Sequence, residues 1–301
     1  MKMENIVNFE DRLAVKTAEI EKILECYLPE ETGFAARLAE AMNYSMRAGG
    51  KRLRPLFLRE AFLLFGGEGR VCEPFMAAIE MIHTHSLIHD DLPAIDNDDM
   101  RRGKMTTHKK YGEALGVLSG DALLNYAYET AIQAFSMSED TPRIAQALKI
   151  LAEKTGIYGM LGGQSVDVMN DGKELTRDML DYIYEHKTSR LIEAPLMIGA
   201  VLAGAEEKEI KTMERIGYLT GIAFQIEDDI LDITSTAEEL GKPIHSDEKN
   251  HKVTYVTLRG LEGAKEDARS MIDEAMKLLD ELPVQNVFLK ELLESLIGRK
   301  R

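Results

Sequence analysis

Cysteine is rare in this 301-residue sequence, and no long apolar run occurs in it. Its two cysteines, Cys26 and Cys72, argue against a disulfide framework and are typical of a reducing compartment. Residues 1–16 carry charges throughout and lack the apolar core of a signal peptide. The longest apolar stretch, residues 194–205, is too short to span a bilayer. The sequence therefore predicts a cytoplasmic protein with no membrane span.

Positive charge is also scarce. The chain has 37 Lys and Arg residues against 52 Asp and Glu residues, a formal net charge of -15. A field of this sign repels nucleic acid and anionic membrane surfaces, so no nucleic-acid partner is expected. Any anionic ligand needs a local basic pocket or a bridging metal ion.

Alternation with period two and low-complexity sequence are missing, and helical periodicity dominates instead. Apolar residues recur at three and four positions in Ile6–Tyr27, Phe34–Met46, Thr141–Tyr158, Arg177–Glu193, Ile210–Ile233 and Ala264–Leu282. Thr176 and Ser138 are predicted helix N-caps. The pattern predicts an all-α fold, a single large helical bundle of about ten or more helices in one domain over residues 1–301.

Five aspartates crowd into "LIHDDLPAIDNDD", residues 87–99. Carboxylates this close raise each other's pKa unless a cation lies among them. Because Pro93 disfavours a helix continuing past Leu92, a helix is predicted to end near Asp90, with His83 on the same face two turns earlier. Oxygen clusters of this kind suit Mg²⁺, which takes its other ligands from substrate phosphates. A solvated acidic loop is the alternative.

A second acidic cluster lies in "FQIEDDILD", residues 224–232. On a helix, Gln225, Asp228 and Asp232 share one face. Apolar neighbours predict that this helix is buried, where unpaired carboxylates are costly. The row of oxygens is therefore predicted to line a cavity.

Two further sets of residues bear on the ligand. A zinc site from His83, His85 and His89 is an alternative, but no HExxH glutamate lies between His85 and His89. Basic residues occur in "GGKRLRP", "MRRGK", "HKTSR" and "LGKP", where they suit a phosphorylated substrate although each alone could be a surface ion pair.

Six ordered motifs resemble those of the trans-prenyl diphosphate synthases, whose short-chain members make geranyl, farnesyl or geranylgeranyl diphosphate. They are "GGKRLRP", "HDDLPAIDNDDMRRG", "GGQSVDV", "HKTS", "FQIEDDILD" and "KVTY", and they cover most of the chain. The resemblance implies an isoprenoid-synthase bundle with a central cavity and usually a homodimer. It implies head-to-tail condensation of isopentenyl diphosphate with allylic diphosphates (dimethylallyl, geranyl), with release of diphosphate.

The same resemblance implies roles for individual residues. The ligands of about three Mg²⁺ ions, with Mn²⁺ as an alternative, are Asp90, Asp91, Asp96, Asp228, Asp229 and Asp232. Contacts to the allylic diphosphate are Arg101, Lys187 and Lys242. Contacts to isopentenyl diphosphate are Lys51, Arg54, His83 and Arg102. Polar groups near the reacting carbons are Gln164, Thr188 and Gln225, which with Lys187 and Lys242 form the expected catalytic set.

Product length is expected to depend on Ser86 and His85, four and five residues before the first aspartate motif. One helical turn of about 5.4 Å places them deeper in the cavity than Asp90. The His85 imidazole is intermediate in bulk, which predicts a C15 product with C20 as the competitor. Simple packing of His85 against a neighbouring helix is the alternative. The insertion "LPAI" is similar to both the bacterial farnesyl type and the plant-like geranylgeranyl type.

Three rival functions remain open at this point: an HD-type metal phosphohydrolase, a terpene cyclase and a non-catalytic subunit of a heteromeric synthase. The first would leave the second acidic cluster without a role. One departure from the family pattern is His245, where glycine is common, although Asp247 and Lys252 are in place. The basic tail "GRKR" is expected to lie in solvent.

Overall fold

The computed structural model of the protein describes residues 8–173, 175–234 and 254–297, which contain fourteen α-helices. They are α1 Phe9–Glu25, α2 Ala36–Met46, α3 Leu53–Leu64, α4 Glu73–Asp90, α5 Thr107–Tyr111, α6 Glu113–Ile132, α7 Thr141–Thr155, α8 Met160–Met169, α9 Arg177–Ile183, α10 Arg190–Ala203, α11 Glu207–Thr234, α12 Tyr255–Arg259, α13 Leu261–Asp280 and α14 Val287–Glu294. A 3₁₀-helix follows α6 at Gln133–Ser136. One short antiparallel hairpin pairs β1 Met100–Arg101 with β2 Lys104–Met105. The all-α prediction is confirmed.

Helix starts follow capping chemistry. Thr176 caps α9 as predicted, because its hydroxyl accepts a hydrogen bond from the Met179 amide at 3.3 Å. The prediction for Ser138 was wrong: Asp140 caps α7, and Ser138 accepts from the Asp140 amide instead. The proline after Thr141 is tolerated only in a first turn, so the helix begins at Thr141 and its cap falls on Asp140.

A π-helical turn, Tyr184–Ser189, interrupts the helix that was predicted to run unbroken from Arg177 to Glu193. The helix resumes as α10 and continues to Ala203. π-turns are rare and are frequent at functional sites, because the extra residue rotates the following side chains. Here the turn contains Lys187 and Thr188.

Helices α4 and α10 form the centre of the bundle. Helix α4 packs against α6 and α3, and α10 packs against α3, α11 and α7. Both are apolar around most of their circumference, as expected for helices covered on all sides. Burial of each large side chain such as Phe57, Phe75 or Ile198 contributes roughly 1.5–3 kcal/mol. This packing fixes the carboxyl end of α4, where Asp90 lies, and the π-turn that precedes α10, where Lys187 lies.

Cys26 is exposed and Cys72 is buried, and both are free thiols. Across the described ranges, no helix combines the length and apolar character that a bilayer crossing requires.

Candidate active site

A cavity of about 1040 Å³ opens between α3, α4, α8, the π-turn and α11. It collects twelve of the predicted site residues from distant parts of the chain. They are Lys51, Arg54, His83, His85, Ser86, Asp90, Arg102, Gln164, Lys187, Thr188, Gln225 and Asp228. Five others are described but do not line it: Asp91, Asp96, Arg101, Asp229 and Asp232. Lys242, His245, Asp247, Lys252 and the "GRKR" tail lie outside the described residues.

Asp90, the last residue of α4, forms the acidic wall of the cavity. Burial raises its pKa to about 6, and Lys187 only partly offsets that effect. Gln164 donates a hydrogen bond from Nε2 to Asp90 Oδ1. The Asp96 amide donates to the Asp90 carbonyl at 2.8 Å, which folds the rest of the motif back toward the helix end. A carboxylate in this setting favours a nearby cation.

Asp91 is buried beside the cavity and contacts the hairpin. Arg101 donates from Nε to Asp91 Oδ1 at 2.6 Å. Burial raises the pKa of Asp91 to about 6, while Arg101 acts in the opposite direction. Asp91, a predicted metal ligand, and Arg101, a predicted diphosphate contact, therefore form an ion pair with each other.

The second acidic cluster divides between the cavity and the interior. Asp228 lines the cavity, and Gln225 accepts a hydrogen bond from Thr188 Oγ1 at 2.8 Å. Asp229 instead accepts from the Tyr184 hydroxyl and from the Tyr255 amide. Asp232 is buried and does not line the cavity. Of the predicted row of oxygens, Gln225 and Asp228 therefore line the cavity and Asp232 does not.

Metal binding needs more than the protein's own side chains. Within the described ranges, no group of three or more His, Cys, Asp or Glu residues is arranged to hold an ion by itself. His83, His85 and His89 are thus not arranged as the alternative zinc site in the described part of the chain. The oxygen-only donors Asp90 and Asp228 fit Mg²⁺, which binds a few carboxylates and completes its shell with phosphate oxygens and water.

Lys51, Arg54 and Arg102 supply positive charge to the lining of the cavity and are termed the basic wall. Burial lowers the pKa of Arg54 to about 10, and the pKa of His83 falls well below its usual range through burial and the nearby Arg54 and Arg102. His83 is therefore neutral and able to donate or accept hydrogen bonds. Lys51 lines the same wall. Guanidinium and ammonium groups gathered in a partly buried site suit a diphosphate.

Backbone geometry brings Arg102 to this wall. Arg102 and Gly103 both have positive φ angles, 52° and 74°, as a two-residue type I′ hairpin turn requires. The Arg102 guanidinium donates to the Gly49 carbonyl and lies against Gly50, where a Cβ atom would come within 2.6 Å of Nη1. Within "GGKRLRP", Gly50 thus makes room for an arginine from another motif, and Gly49 accepts its hydrogen bond.

Three residues near the cavity were not in the predicted site. Asp167 accepts a hydrogen bond from Lys187 Nζ, and although burial opposes the charged lysine, Asp167 and Asp90 together raise its pKa. The motif "GGQSVDV" contained this signal, since Asp167 follows Gln164 by three residues on one helix.

Arg52 and Glu80 form a buried ion pair at 2.7 Å. The sequence signal for this pair was a single glutamate in the otherwise apolar "AAIEMIH".

Comparisons with known proteins agree with this geometry. The Polyprenyl synthetase family model matches residues 35–294. A farnesyl diphosphate synthase from Geobacillus stearothermophilus is 40% identical, with 99% of this chain and 98% of that protein covered. Geranylgeranyl pyrophosphate synthase 7 from Arabidopsis thaliana is 42% identical, with 81% and 70% covered. The crystal structure of a geranyltransferase from Helicobacter pylori, complexed with magnesium and isoprenyl diphosphate, superposes with a TM-score of 0.82 at 33% identity, covering 98% of this chain and 97% of that one. The chain therefore belongs to the polyprenyl synthetase family.

Proposed function

We propose that the protein is a prenyltransferase that condenses isopentenyl diphosphate with dimethylallyl or geranyl diphosphate, releases diphosphate and gives mainly farnesyl diphosphate. The observation that carries this proposal is one cavity whose lining combines the carboxylates of Asp90 and Asp228 with the cations of Lys51, Arg54 and Arg102. Two diphosphate substrates need two different sites, one completed by metal ions and one made of protein cations.

Mg²⁺ is the proposed cofactor, in about three ions, with Mn²⁺ as an alternative. The residues that would hold it are the six motif aspartates. Direct ligation falls first to Asp90 and Asp228, since these two line the cavity and Asp91 and Asp229 do not. When bound, the metal supplies positive charge that stabilises the diphosphate as it leaves.

The protein's own groups act on both partners of the reaction. As the allylic carbon–oxygen bond breaks, the bonding electrons go to the departing diphosphate, where Lys187 stabilises the added charge together with Arg101 and Lys242. Thr188, Gln225 and Gln164 present oxygens near the reacting carbons, and the hydrogen bond between Thr188 and Gln225 orients two of them. The double bond of isopentenyl diphosphate then attacks the cation. We propose the departed diphosphate as the acceptor of the proton that is lost.

The proposed product length rests on His85. Its ring lines the cavity, its Nδ1 donates to the Gly120 carbonyl at 3.0 Å, and burial lowers its pKa to about 4, so it is a fixed neutral group. A fixed imidazole below Asp90 supports a C15 product. The competing C20 product would require the chain to pass this ring.

The proposed assembly is a cytoplasmic homodimer of single-domain subunits. Apolar residues are exposed on α6 and on α8, among them Val117, Leu118, Leu161 and Val168. Exposed apolar side chains of this kind occur at protein interfaces, and a second copy of this chain is proposed to cover those on α6. One cluster of buried apolar side chains extends from α1 to beyond α14, which supports a single domain.

The function is tested by incubating the purified protein with dimethylallyl and isopentenyl diphosphates and Mg²⁺, followed by sizing of the products. The expected result is farnesyl diphosphate and inorganic diphosphate, with no product in EDTA. Release of phosphate from a nucleotide without carbon–carbon bond formation would favour a phosphohydrolase. Turnover of an allylic diphosphate alone would favour a cyclase, and complete inactivity would favour a partner subunit.

A further inference from the structure

Arg52 lies between two residues of the basic wall but outside the predicted site. Its backbone is left-handed, with φ 50° and ψ 33°, a conformation that non-glycine residues rarely adopt. Its side chain is 1% exposed. Nε donates to Glu21 at 2.6 Å, Nη1 to Glu80 at 2.7 Å and Nη2 to the Met46 carbonyl at 2.6 Å. Each side-chain nitrogen of Arg52 is thus bound to a different segment of the protein.

This arrangement determines where the neighbouring cations lie. Lys51 precedes the left-handed residue and Arg54 follows it by two positions, and both line the cavity. The Nε of Arg54 is buried and has no hydrogen-bond partner among the described residues. No hydrogen bond at Nε therefore holds this guanidinium in place. Its position depends on the backbone turn that Arg52 fixes.

Glu80 borders the same pocket from α4. Burial lowers the pKa of Arg54, and Glu80 is the first of the neighbouring charges that raises it. Glu80 acts in the same direction on Arg102. A buried carboxylate beside an anion pocket would repel the anion, so its presence needs a compensating role.

We propose that Arg52 and Glu80 are positioning residues for the isopentenyl diphosphate pocket. Their ion pair fixes the left-handed turn, and the turn presents Lys51 and Arg54 to the cavity before the diphosphate binds. The inference rests on the proposed function for the identity of the ligand. Binding to a preorganised pocket is stronger because fewer groups are ordered at the moment of binding.

Glu80→Gln is the discriminating variant because two explanations predict opposite signs. Simple electrostatics predicts tighter binding of an anion when a nearby negative charge is removed. Positioning predicts weaker binding, by about tenfold, because the charge-assisted hydrogen bond to Arg52 is lost. Titration of inorganic diphosphate into the protein in EDTA, followed by calorimetry, measures this affinity at the basic wall without turnover.

Two substitutions of Arg52 test whether its geometry or its charge matters. Arg52→Lys keeps the positive charge and removes the guanidinium geometry, whereas Arg52→Gln removes both. One lysine nitrogen cannot replace three fixed donors, so both variants are expected to raise the KM for isopentenyl diphosphate about tenfold. The KM for the allylic substrate and kcat are expected to stay within about twofold, since Asp90 and Lys187 are untouched. A wild-type KM in Arg52→Lys would overturn the inference, as would an equal rise in both KM values.

Arg59 offers a matched control at the same junction of α1 and α3. Its Nη1 pairs with Glu19 at 2.7 Å on the surface, and it does not line the cavity. Arg59→Lys and Arg59→Gln are expected to leave diphosphate affinity and both KM values unchanged. If these controls weaken binding as Arg52→Lys does, the effect is a general loosening of α1 and the inference fails.

The calorimetric and kinetic results distinguish this inference from the proposed function. A wild-type protein that binds diphosphate but forms no prenyl product would refute the function and leave the comparison of affinities intact. If the Arg52 variants do not fold, which thermal melting shows, Glu80→Gln alone decides the outcome. Unchanged or tighter binding in Glu80→Gln, or no binding by the wild type, would overturn the inference.

Discussion

Gln164 on α8 donates a hydrogen bond to Asp90 at the end of α4, joining residues 74 positions apart at the acidic wall of the cavity. Lys187 from the π-turn acts on the same carboxylate and is itself paired with Asp167 on α8. Residues of two other motifs, "GGQSVDV" and "HKTS", thus converge on the Asp90 carboxylate. The chemistry of the site can be tested by changing these residues one at a time.

Asp90→Asn is expected to reduce kcat about 10²- to 10³-fold, because it removes a negative charge that would hold Mg²⁺ against the leaving diphosphate. Steady-state assays over a range of Mg²⁺ concentrations measure the effect. Asp99→Asn is the matched control, since Asp99 belongs to the same acidic stretch but is exposed and paired with Lys109. Equal losses in the two variants would contradict a specific role for Asp90.

The same Asp90→Asn substitution is expected to stabilise the metal-free protein. Because burial raises the pKa of Asp90 to about 6, the folded state loses stability as the pH rises from the unfolded pKa of about 3.9, and the loss is complete above about pH 6. In EDTA at pH 7 the Tm of the variant is expected to exceed that of the wild type by roughly 2–5 °C. The difference should disappear toward pH 4, where the native carboxyl is protonated. A lower Tm for the variant at pH 7 would show that the carboxylate is already compensated.

Helical periodicity predicted most of the framework because amphipathic helices repeat their apolar residues over several turns. Helices α1, α2, α7, α11 and α13 begin and end within three residues of the predicted segments. The π-turn could not be predicted, since it adds a single residue to an otherwise helical pattern. Two-residue strands are likewise too short to show any alternation.

The site itself was predictable to the extent that its residues lie in short ordered motifs. Asp90, Lys187 and Gln225 all line one cavity. What the motifs could not show is which aspartates are already engaged. Arg101 belongs to the same motif as Asp91, but their pairing depends on the hairpin, and the partners of Asp229 come from distant segments. Those contacts depend on tertiary packing that one sequence does not reveal.

Asp167→Asn is expected to lower kcat roughly tenfold and to move the alkaline limb of the pH profile to lower pH. Asp167 and Asp90 raise the pKa of Lys187 in the folded state, so the lysine stays charged beyond its ordinary range. The stability from this pair is fully present below the unfolded pKa of about 10.4 and is lost as pH rises through the folded pKa. Profiles of kcat/KM from pH 6 to 11 measure the shift. Asp181→Asn, which removes the exposed partner of Arg177, should leave the limb in place.

His85→Ala is expected to lengthen the product, because it removes a buried ring that is fixed to the Gly120 carbonyl and lines the cavity below Asp90. Chromatographic sizing after incubation with excess isopentenyl diphosphate should show C20 and longer chains replacing most of the C15 product. Ser86→Phe is the reciprocal variant, since a phenyl ring on the neighbouring position that also lines the cavity should shorten the product toward C10. If His85→Ala still stops at C15 while Ser86→Phe shortens the chain, the cavity is limited elsewhere and His85 is a packing residue. If neither variant changes the product, the growing chain does not pass this face of α4.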